Sequence, residues 1–361
     1  FFNKTKNENY LKPVELILKK LCSQGIYDHV EGGISRYTVD EDWLVPHFEK
    51  MLYDNVQFIS LLSSYLKIKK NIYFSNKLKE TIHFIKSEFL NKKFNLLGSA
   101  YDADSEGEEG KYYTFKYNEI SNIKDIEKFY EILPEGNWEK KIILRELKDP
   151  NSNIKQELLN IRKTKKKPFF DEKVQLDLNC MWISSLINTY YVNKDKYYLE
   201  LAENFFNNLK TKFDENNLHH SYSKNHVFLE DYAYYTSMLL DLYDATMDLN
   251  YKNKSLKVYS STLNKFYDKE KKIFQKNPLS NNDLFFNPID IGDSTIPNGN
   301  SIMLFNMARL GKLSDAKTLA QSLYGYLNIY NNYMISSLKS LDYFNEKNLG
   351  KRCGPDGCKS I

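Results

Sequence analysis

The chain has 361 residues, enough for one large domain or two ordinary ones with a sizeable buried core. Hydrophobic residues make up 42% and charged residues 27%, which excludes a disordered or collagen-like chain. The chain has 51 basic and 47 acidic residues, so its formal charge is only +4. We therefore expect no nucleic-acid partner. No run of 18 apolar residues and no signal-peptide core is present, so we expect a cytoplasmic protein without a membrane partner.

Two short segments depart from this even composition. The basic run Arg162–Lys167 is typical of a solvated loop, with a phosphate-binding patch as the second interpretation. Cys22 and Cys180 lie in helical patterns and are expected to be buried. Cys353 and Cys358 flank a Gly-Pro-Asp-Gly turn, for which a reducible disulfide, a docking tail and an inert tail are all open interpretations.

Apolar residues recur at spacings of three and four along most of the chain, which predicts helices. The long predicted helices, in chain order, are Leu11–Gln24, Phe48–Lys69, Ile72–Asn91, Val174–Asn193, Tyr197–Phe213, Leu229–Leu249, Tyr251–Tyr267, Ser301–Leu310 and Asp315–Leu327. Shorter ones are predicted at Asp125–Leu133, Ser152–Arg162 and Asn332–Tyr343. Several are joined by very short links, such as 194–196 and 311–314, which predicts antiparallel helical hairpins.

Longer polar loops separate the hairpins and hold most of the glycine, proline and paired acids. They are Tyr27–Pro46, Leu96–Tyr117, Lys163–Lys173, Asp214–Phe228 and Phe274–Asn300. Because these loops follow the same half of each hairpin, they would gather at one end of a helical ring, where a rigid scaffold commonly carries function. No break in composition marks a boundary, so we predict one domain over residues 1–361. Its inner ring would include Phe48–Lys69, Val174–Asn193, Leu229–Leu249 and Ser301–Leu310.

The segment 32–57 (GGISRYTVDEDWLVPHFEKMLYDNVQ) has the highest density of chemically useful residues. Residues 34–39 alternate like a short strand, and Pro46 suits the first turn of the helix that follows. His47 would then lie in a helical turn, where a nearby carboxylate would outweigh the helix dipole and make the ring a proton donor. A purely structural histidine is the second interpretation. The candidate binding residues around it are Arg36, Tyr37, Trp43, Glu49 and Tyr53.

The segment 99–115 (SAYDADSEGEEGKYYTF) places five acids within eight residues. Three interpretations stand: a calcium loop, paired carboxylates that hold sugar hydroxyls or move protons, and a solvated acidic loop. The calcium interpretation is weakened because position twelve, counted from Asp102, is Tyr113 rather than glutamate. From this segment we take Asp102 and Asp104 as candidate catalysts and Tyr101 and Glu106 as candidate binding residues.

Three later segments place polar residues at predicted helix starts. The candidates are Lys173, Asp177 and Asn179 in the first, Glu230 and Asp231 in the second, and Asn300 in the third. Acids at a helix start also stabilise the helix dipole, and asparagine also caps helices, so a structural role is the alternative for each.

These motifs resemble a known family. Residues 32–55, 99–115, 229–246 and 296–301 are similar to thioredoxin-domain-containing proteins related to the spermatogenesis-associated thioredoxin-like protein. The resemblance implies an all-α (α/α)6 toroid, a six-hairpin barrel like that of N-acylglucosamine 2-epimerases and six-hairpin glycosidases. It also implies that the thioredoxin-like domain of the family is absent from this chain. Ser35 stands where many relatives have histidine, which weakens a two-histidine epimerase mechanism.

The residues and the resemblance together predict a carbohydrate-active protein, similar to a sugar isomerase, an epimerase or a glycosidase. The predicted catalytic residues are His47, Asp102, Asp104, Glu230 and Asp231. The predicted substrate-binding residues are Arg36, Tyr37, Trp43, Glu49, Tyr53, Tyr101, Glu106, Lys173, Asp177, Asn179 and Asn300. The alternative is a non-catalytic sugar-binding or regulatory module that works with a thioredoxin-like domain. We expect a small carbohydrate as partner, and neither a cofactor nor a metal.

Overall fold

The computed structural model describes residues 2–150, 152–222, 226–281, 284–348, 351–354 and 357–360. It divides into two compact units. The first unit comprises Phe1–Asn91 and Leu97–Glu172, and the second comprises Lys92–Leu96 and Lys173–Ile361. The single domain that we expected over residues 1–361 stays a prediction.

The first unit combines helices with very short strands. Its helices are α1 (Phe2–Thr5), α2 (Lys12–Ser23), α3 (Leu52–Leu66), α4 (Ile72–Glu88), α5 (Tyr117–Ile120) and α6 (Ser152–Arg162). The strands up to Asp171 are β1 (Tyr37–Thr38), β2 (Pro46–His47), β3 (Lys50–Met51), β4 (Leu90–Asn91), β5 (Leu96–Leu97), β6 (Ala100–Tyr101), β7 (Asp104–Ser105), β8 (Glu108–Glu109) and β9 (Phe170–Asp171). Strand β1 pairs with β2, β7 pairs with β8, and β6 lies between β3 and β9. Helix α4 packs against both α2 and α3.

A buried asparagine fixes the loop that precedes β1. The Asn55 side chain on α3 accepts the backbone N–H of Ile34 at 2.8 Å and donates to the Ile34 carbonyl at 3.0 Å. Its amide also donates to the Met51 carbonyl at 2.9 Å. The side chain therefore replaces a neighbouring strand for one loop residue whose backbone is buried.

Three charged side chains are buried together in the first unit. Asp28 accepts from the Lys50 ammonium at 2.6 Å and from the Arg162 guanidinium at 2.5 Å, and each of these side chains is at most 5% exposed. Burial alone would raise the pKa of the Asp28 carboxyl, but the charges of Arg162 and Lys50 hold that pKa well below its ordinary value. The network joins the loop at Asp28 to β3 and α6.

The second unit is built from helical hairpins. Its helices are α7 (Leu176–Asn193), α8 (Lys196–Lys212), α9 (Leu229–Thr246), α10 (Leu249–Phe266), α11 (Gly299–Arg309), α12 (Leu313–Tyr330) and α13 (Ile335–Asn348). Helix α9 packs against α7 and α11, and each of these three also packs against the helix that follows it. The short strands are β10 (Tyr267–Asp268), β11 (Ile273–Phe274), β12 (Lys351–Gly354) and β13 (Gly357–Ser360). In the β12–β13 pair the backbone register sets Cys353 opposite Cys358. The chemical role of this pair stays a prediction.

Two hairpin links share one design. Lys194 directly follows α7 with φ 58°, and Met247 directly follows α9 with φ 61°, so both residues adopt the left-handed conformation that stops a helix. The next residue is aspartate in both links. Asp195 accepts the N–H of Tyr197 and Asp248 accepts the N–H of Asn250, which caps the following helix.

All nine long helices that the spacing predicts are present, but the start of α3 was predicted wrongly. We expected a helix from Phe48, with Pro46 and His47 at its first turn, whereas α3 begins at Leu52. The preceding chain is extended because His47 pairs with Tyr37 and Lys50 pairs with Tyr101. The predicted short helix Asp125–Leu133 is also wrong, since only a 3-10 turn at Ile126–Lys128 forms there.

We expect Asp28→Asn to lower the free energy of unfolding by about 3 kcal/mol, because it leaves the buried Lys50 and Arg162 with only Glu31, 3.5 Å from the Arg162 guanidinium, as a counter-charge. Urea unfolding followed by circular dichroism measures the change. Glu41→Gln, at an exposed position, is the control and should change stability by no more than about 0.5 kcal/mol. Equal stability of the two variants would contradict a structural role for the network.

Candidate functional site

His47 lies in a strand pair of the first unit. The register of β1 and β2 sets Tyr37 opposite His47, and the two rings stack with their centroids 5.1 Å apart. The His47 side chain is 26% exposed, and Tyr37 is 49% exposed. A ligand could therefore reach the imidazole beside an aromatic surface.

Two carboxylates flank the His47 ring. Nδ1 lies 2.8 Å from Oε1 of Glu109, and Nε2 lies 3.3 Å from Oε2 of Glu49. Because an ionised carboxylate only accepts, the Nδ1–H donates to Glu109, and this bond fixes the ring orientation. Glu49 also accepts from the Arg36 guanidinium at 3.0 Å. Nε2 is then the ring atom suited to exchange a proton with a ligand.

Asp54, in the first turn of α3, adds a second titratable group to this cluster. Its Oδ2 is buried and has no hydrogen-bond partner among the described residues. Burial raises the pKa of this carboxyl to about 7, with the charge of Arg36 opposing and that of Glu49 adding to the shift. Groups that titrate near neutral pH are suited to acid–base chemistry.

The acidic segment forms a tight hairpin rather than a cation-binding loop. Between β7 and β8, Glu106 and Gly107 have φ values of 56° and 77°, as a two-residue type I′ turn requires. Its glutamates contact separate partners: Glu106 contacts Lys111, Glu108 contacts Lys141, and Glu109 contacts His47. These separate ion pairs disfavour the calcium interpretation.

A different cluster lies in the second unit, at the N-terminal ends of α7 and α9. Asp177, His220 and Asp231 place one metal-ligating atom each within 4.8 Å of one another. His220 Nδ1 lies 2.9 Å from Asp231 Oδ1, and its Nε2 lies 2.7 Å from the side-chain amide of Gln175. Asp231 also accepts the Phe228 N–H at 2.8 Å, which fixes the start of α9.

Electrostatics in this cluster are dominated by buried acids. Burial raises the pKa of the Asp177 carboxyl well above its ordinary value, and the charge of Asp231 adds to the effect. Burial also raises the pKa of Glu230, whose Oε1 accepts the Gly299 N–H at 3.2 Å. For His220, burial would lower the pKa, but the hydrogen bond and charge of Asp231 raise it.

Other predicted residues lie elsewhere. Asp102 and Asp104 are exposed, and Asp102 accepts the Asp104 N–H at 3.4 Å. Tyr101 stacks on Phe170 and donates to the Glu88 carbonyl at 2.9 Å. Trp43 is half-buried with φ 63°, Tyr53 is half-buried, and Glu106 and Lys173 are exposed.

The two predicted asparagines are engaged by backbone groups. Asn179 donates to the Gln175 carbonyl at 2.8 Å. Asn300 accepts the Phe274 N–H and donates to the Phe274 carbonyl, both at 3.0 Å. Both residues are almost fully buried. The substrate-binding roles of all these residues stay predictions.

Sequence reasoning grouped Arg36, Tyr37, His47 and Glu49, which lie together in the structure, but it omitted two residues of this cluster and two of the second. Glu109 was one of several acids in its segment, and only the pairing of the hairpin singles it out. Asp54, Gln175 and His220 were not chosen as site residues. Asp177 and Asp231 of the second cluster were chosen from the sequence, whereas His220, eleven residues before Asp231, was not.

No protein-family model matches the chain. The chain is 24% identical over 363 residues to human spermatogenesis-associated protein 20, an alignment that covers 81% of this chain and 45% of that protein. It is 23% identical over 367 residues to an uncharacterized protein of Caenorhabditis elegans, covering 84% of this chain and 50% of that protein. The chain thus spans about half the length of the curated relatives it matches.

Solved structures of similar fold include sugar-processing enzymes. A cellobiose 2-epimerase from Spirochaeta thermophila aligns with a TM-score of 0.56 at 9% identity, covering 90% of this chain and 72% of the epimerase. A glycoside hydrolase family 76 mannosidase from Bacteroides thetaiotaomicron aligns with a TM-score of 0.52 at 13% identity, covering 93% and 83% of the two chains. These likenesses confirm the predicted all-α fold class, the (α/α)6 toroid. Across the described residues, every helix is too short or too polar to cross a membrane.

We expect Asp54→Asn to stabilise the protein at pH 8 and to change its stability little at pH 4. The ordinary aspartate pKa is about 3.9. Between pH 4 and 7 the unfolded chain ionises while the native carboxyl keeps its proton, so the wild-type protein loses stability as pH rises. The gain in the variant should reach about 1–3 kcal/mol.

Unfolding by urea at both pH values measures this difference. Asp42→Asn, at an exposed position, serves as the matched control. A variant that gains nothing at pH 8, or gains equally at pH 4, would contradict a raised pKa at Asp54.

Proposed function

We propose that the chain is a carbohydrate-active protein whose His47 cluster exchanges protons with a sugar, in a reaction of the isomerase, epimerase or glycosidase type. The observation that carries this proposal is the partly exposed imidazole held by Glu109 at Nδ1, with Nε2 turned toward Glu49. The similar fold of a sugar epimerase and a mannosidase supports a carbohydrate as the substrate class.

The cluster contains the groups that such chemistry needs. His47 Nε2 would donate the proton, and Glu109 would keep the ring in one orientation. The stacked and exposed Tyr37 ring would pack against the face of a sugar, and the Arg36–Glu49 pair would bind its hydroxyls. Asp54, a carboxyl with a pKa of about 7, would serve as a second proton carrier.

The base assigned from the sequence was Asp102, Asp104 or Glu230, with Asp231 in support. None of these roles has been tested, and all four stay predictions. The carboxylates that contact His47 in the structure are Glu49 and Glu109. We therefore add Glu109 as a positioning residue for the ring.

The second candidate is a sugar-binding or regulatory module without catalysis, which works with a thioredoxin-like domain. The observation that favours it is that carboxylates already face both nitrogens of His47. With both ring nitrogens of His47 paired, Glu49 and Glu109 could bind a ligand hydroxyl while the imidazole transfers no proton.

A screen of free sugars and sugar phosphates by thermal shift, followed by NMR of each hit, separates these candidates. A sugar isomerase or epimerase should exchange the C2 hydrogen of the hit with solvent deuterium, and a glycosidase should release a new reducing end from a glycoside of the hit. A binding module should shift the melting temperature without either change.

In the enzyme case, we expect His47→Asn to lower the exchange rate by at least about 10²-fold, the typical contribution of a general acid or base. His83→Asn, on the exposed face of α4, is the matched control and should keep full activity. Near-ultraviolet circular dichroism checks that the fold of His47→Asn is intact. Full activity in a folded His47→Asn variant would remove this residue from the mechanism.

A further inference from the structure

Three potential metal ligands meet in the second unit although they are far apart in sequence. Asp177 lies in the first turn of α7, Asp231 lies in the first turn of α9, and His220 lies in the loop between α8 and α9. Asp177 and Asp231 are 5% and 0% exposed, while the His220 side chain is 22% exposed. The buried acids therefore lie beside an edge that solvent can reach.

The carboxylate of Asp177 is short of hydrogen-bond donors. Its Oδ1 accepts the N–H of the adjacent Leu178 at 2.8 Å, and the described residues offer its other oxygen no donor. The largest charge effects on it come from Asp231, which repels it, and from His220. No lysine or arginine forms an ion pair with it in the described part of the chain. A buried carboxylate with a single hydrogen bond and no cationic partner needs a proton, a water molecule or a metal cation to compensate its charge.

The three ligand atoms lie close enough to reach one ion after small side-chain rotations. Ligands at about 2.1 Å from a tetrahedral ion lie about 3.4 Å apart. His220 Nδ1 and Asp231 Oδ1 are 2.9 Å apart, a hydrogen-bond distance, and all three ligand atoms lie within 4.8 Å of one another. One carboxylate would turn slightly inward as the ion binds.

Gln175 contacts the second ring nitrogen of His220. Its amide nitrogen lies 2.7 Å from His220 Nε2 and donates to it, which leaves the ring hydrogen on Nδ1, facing Asp231. Binding of a cation at Nδ1 would need a half-turn of the amide, which presents the amide oxygen to an Nε2–H. That bond would place the hydrogen on Nε2 and direct the Nδ1 lone pair toward the two carboxylates. Metal-bound histidines commonly have such a partner on their second ring nitrogen.

We propose that Asp177, His220 and Asp231 bind one divalent cation of the zinc class. Two carboxylates balance the charge of the ion, and the imidazole selects zinc-like ions over calcium and magnesium, which prefer oxygen ligands. Three protein ligands leave a coordination position open for water or a ligand, as in catalytic zinc sites. The sequence analysis predicted no metal, and this site does not depend on the proton exchange proposed for His47.

Zinc binding tests the site directly, in the full chain with Cys353→Ser and Cys358→Ser to remove thiols that bind zinc on their own. After treatment with a chelator, titration calorimetry with Zn²⁺ should show one equivalent bound per chain. Asp177→Asn and His220→Gln should each weaken binding by at least about tenfold. The melting temperature should rise with Zn²⁺ in the parent and rise less in both variants.

Two control variants test whether other histidines bind the Zn²⁺. His219→Ala changes the neighbour of His220, and His47→Asn changes the cluster in the first unit; both should bind Zn²⁺ as the parent does. The proposal is overturned by a folded parent that binds no Zn²⁺ or that prefers Ca²⁺ or Mg²⁺. It is also overturned by unchanged affinity in folded Asp177→Asn, or by loss of binding in His47→Asn alone. If His220→Gln fails to fold, Asp177→Asn decides the outcome.

Discussion

Loop backbone that is buried must find hydrogen-bond partners, and both units meet this requirement with an asparagine side chain on a helix. Asn55 binds both backbone groups of Ile34, and Asn300 binds both backbone groups of Phe274. Each amide acts as a one-residue strand and fixes a long loop beside the start of a helix. In the first unit, the loop that Asn55 holds leads directly to Arg36 and Tyr37, so the His47 cluster depends on this buried amide.

The sequence predicts the helices well because their apolar spacing depends on local residues alone. It fails at the start of α3, where Pro46 and His47 are extended, because that segment pairs with Tyr37, which lies in another strand. The same reasoning explains the sites. Arg36, Tyr37, His47 and Glu49 lie within fourteen residues and could be grouped from sequence. Glu109 and His220 reach their clusters only through a hairpin or a long loop, which local patterns do not reveal.

Buried aspartates in the two units are stabilised in opposite ways. Lys50 and Arg162 keep the pKa of Asp28 low, so its charge is permanent and structural. Asp177 has no such cationic partner among the described residues, and burial together with the charge of Asp231 raises its pKa. The first arrangement stabilises a fold only while all its members remain charged. The Asp177–Asp231 arrangement places two buried carboxyl groups close together, and a proton or a bound cation can neutralise their negative charge. The contrast separates a structural network from a site that can respond to its surroundings.

Ser35 argues against a mechanism in the first unit that uses two histidines. Ser35 is 4% exposed, and its N–H donates to the Ile26 carbonyl at 2.9 Å, so this position lies in the buried loop rather than at the His47 ring. A mechanism with two histidines would need a second imidazole that the sequence does not supply here. Around His47, a carboxyl is then the group best suited to be a second proton carrier. Asp54 is suited to that part, because its pKa of about 7 allows it to hold and release a proton near neutral pH.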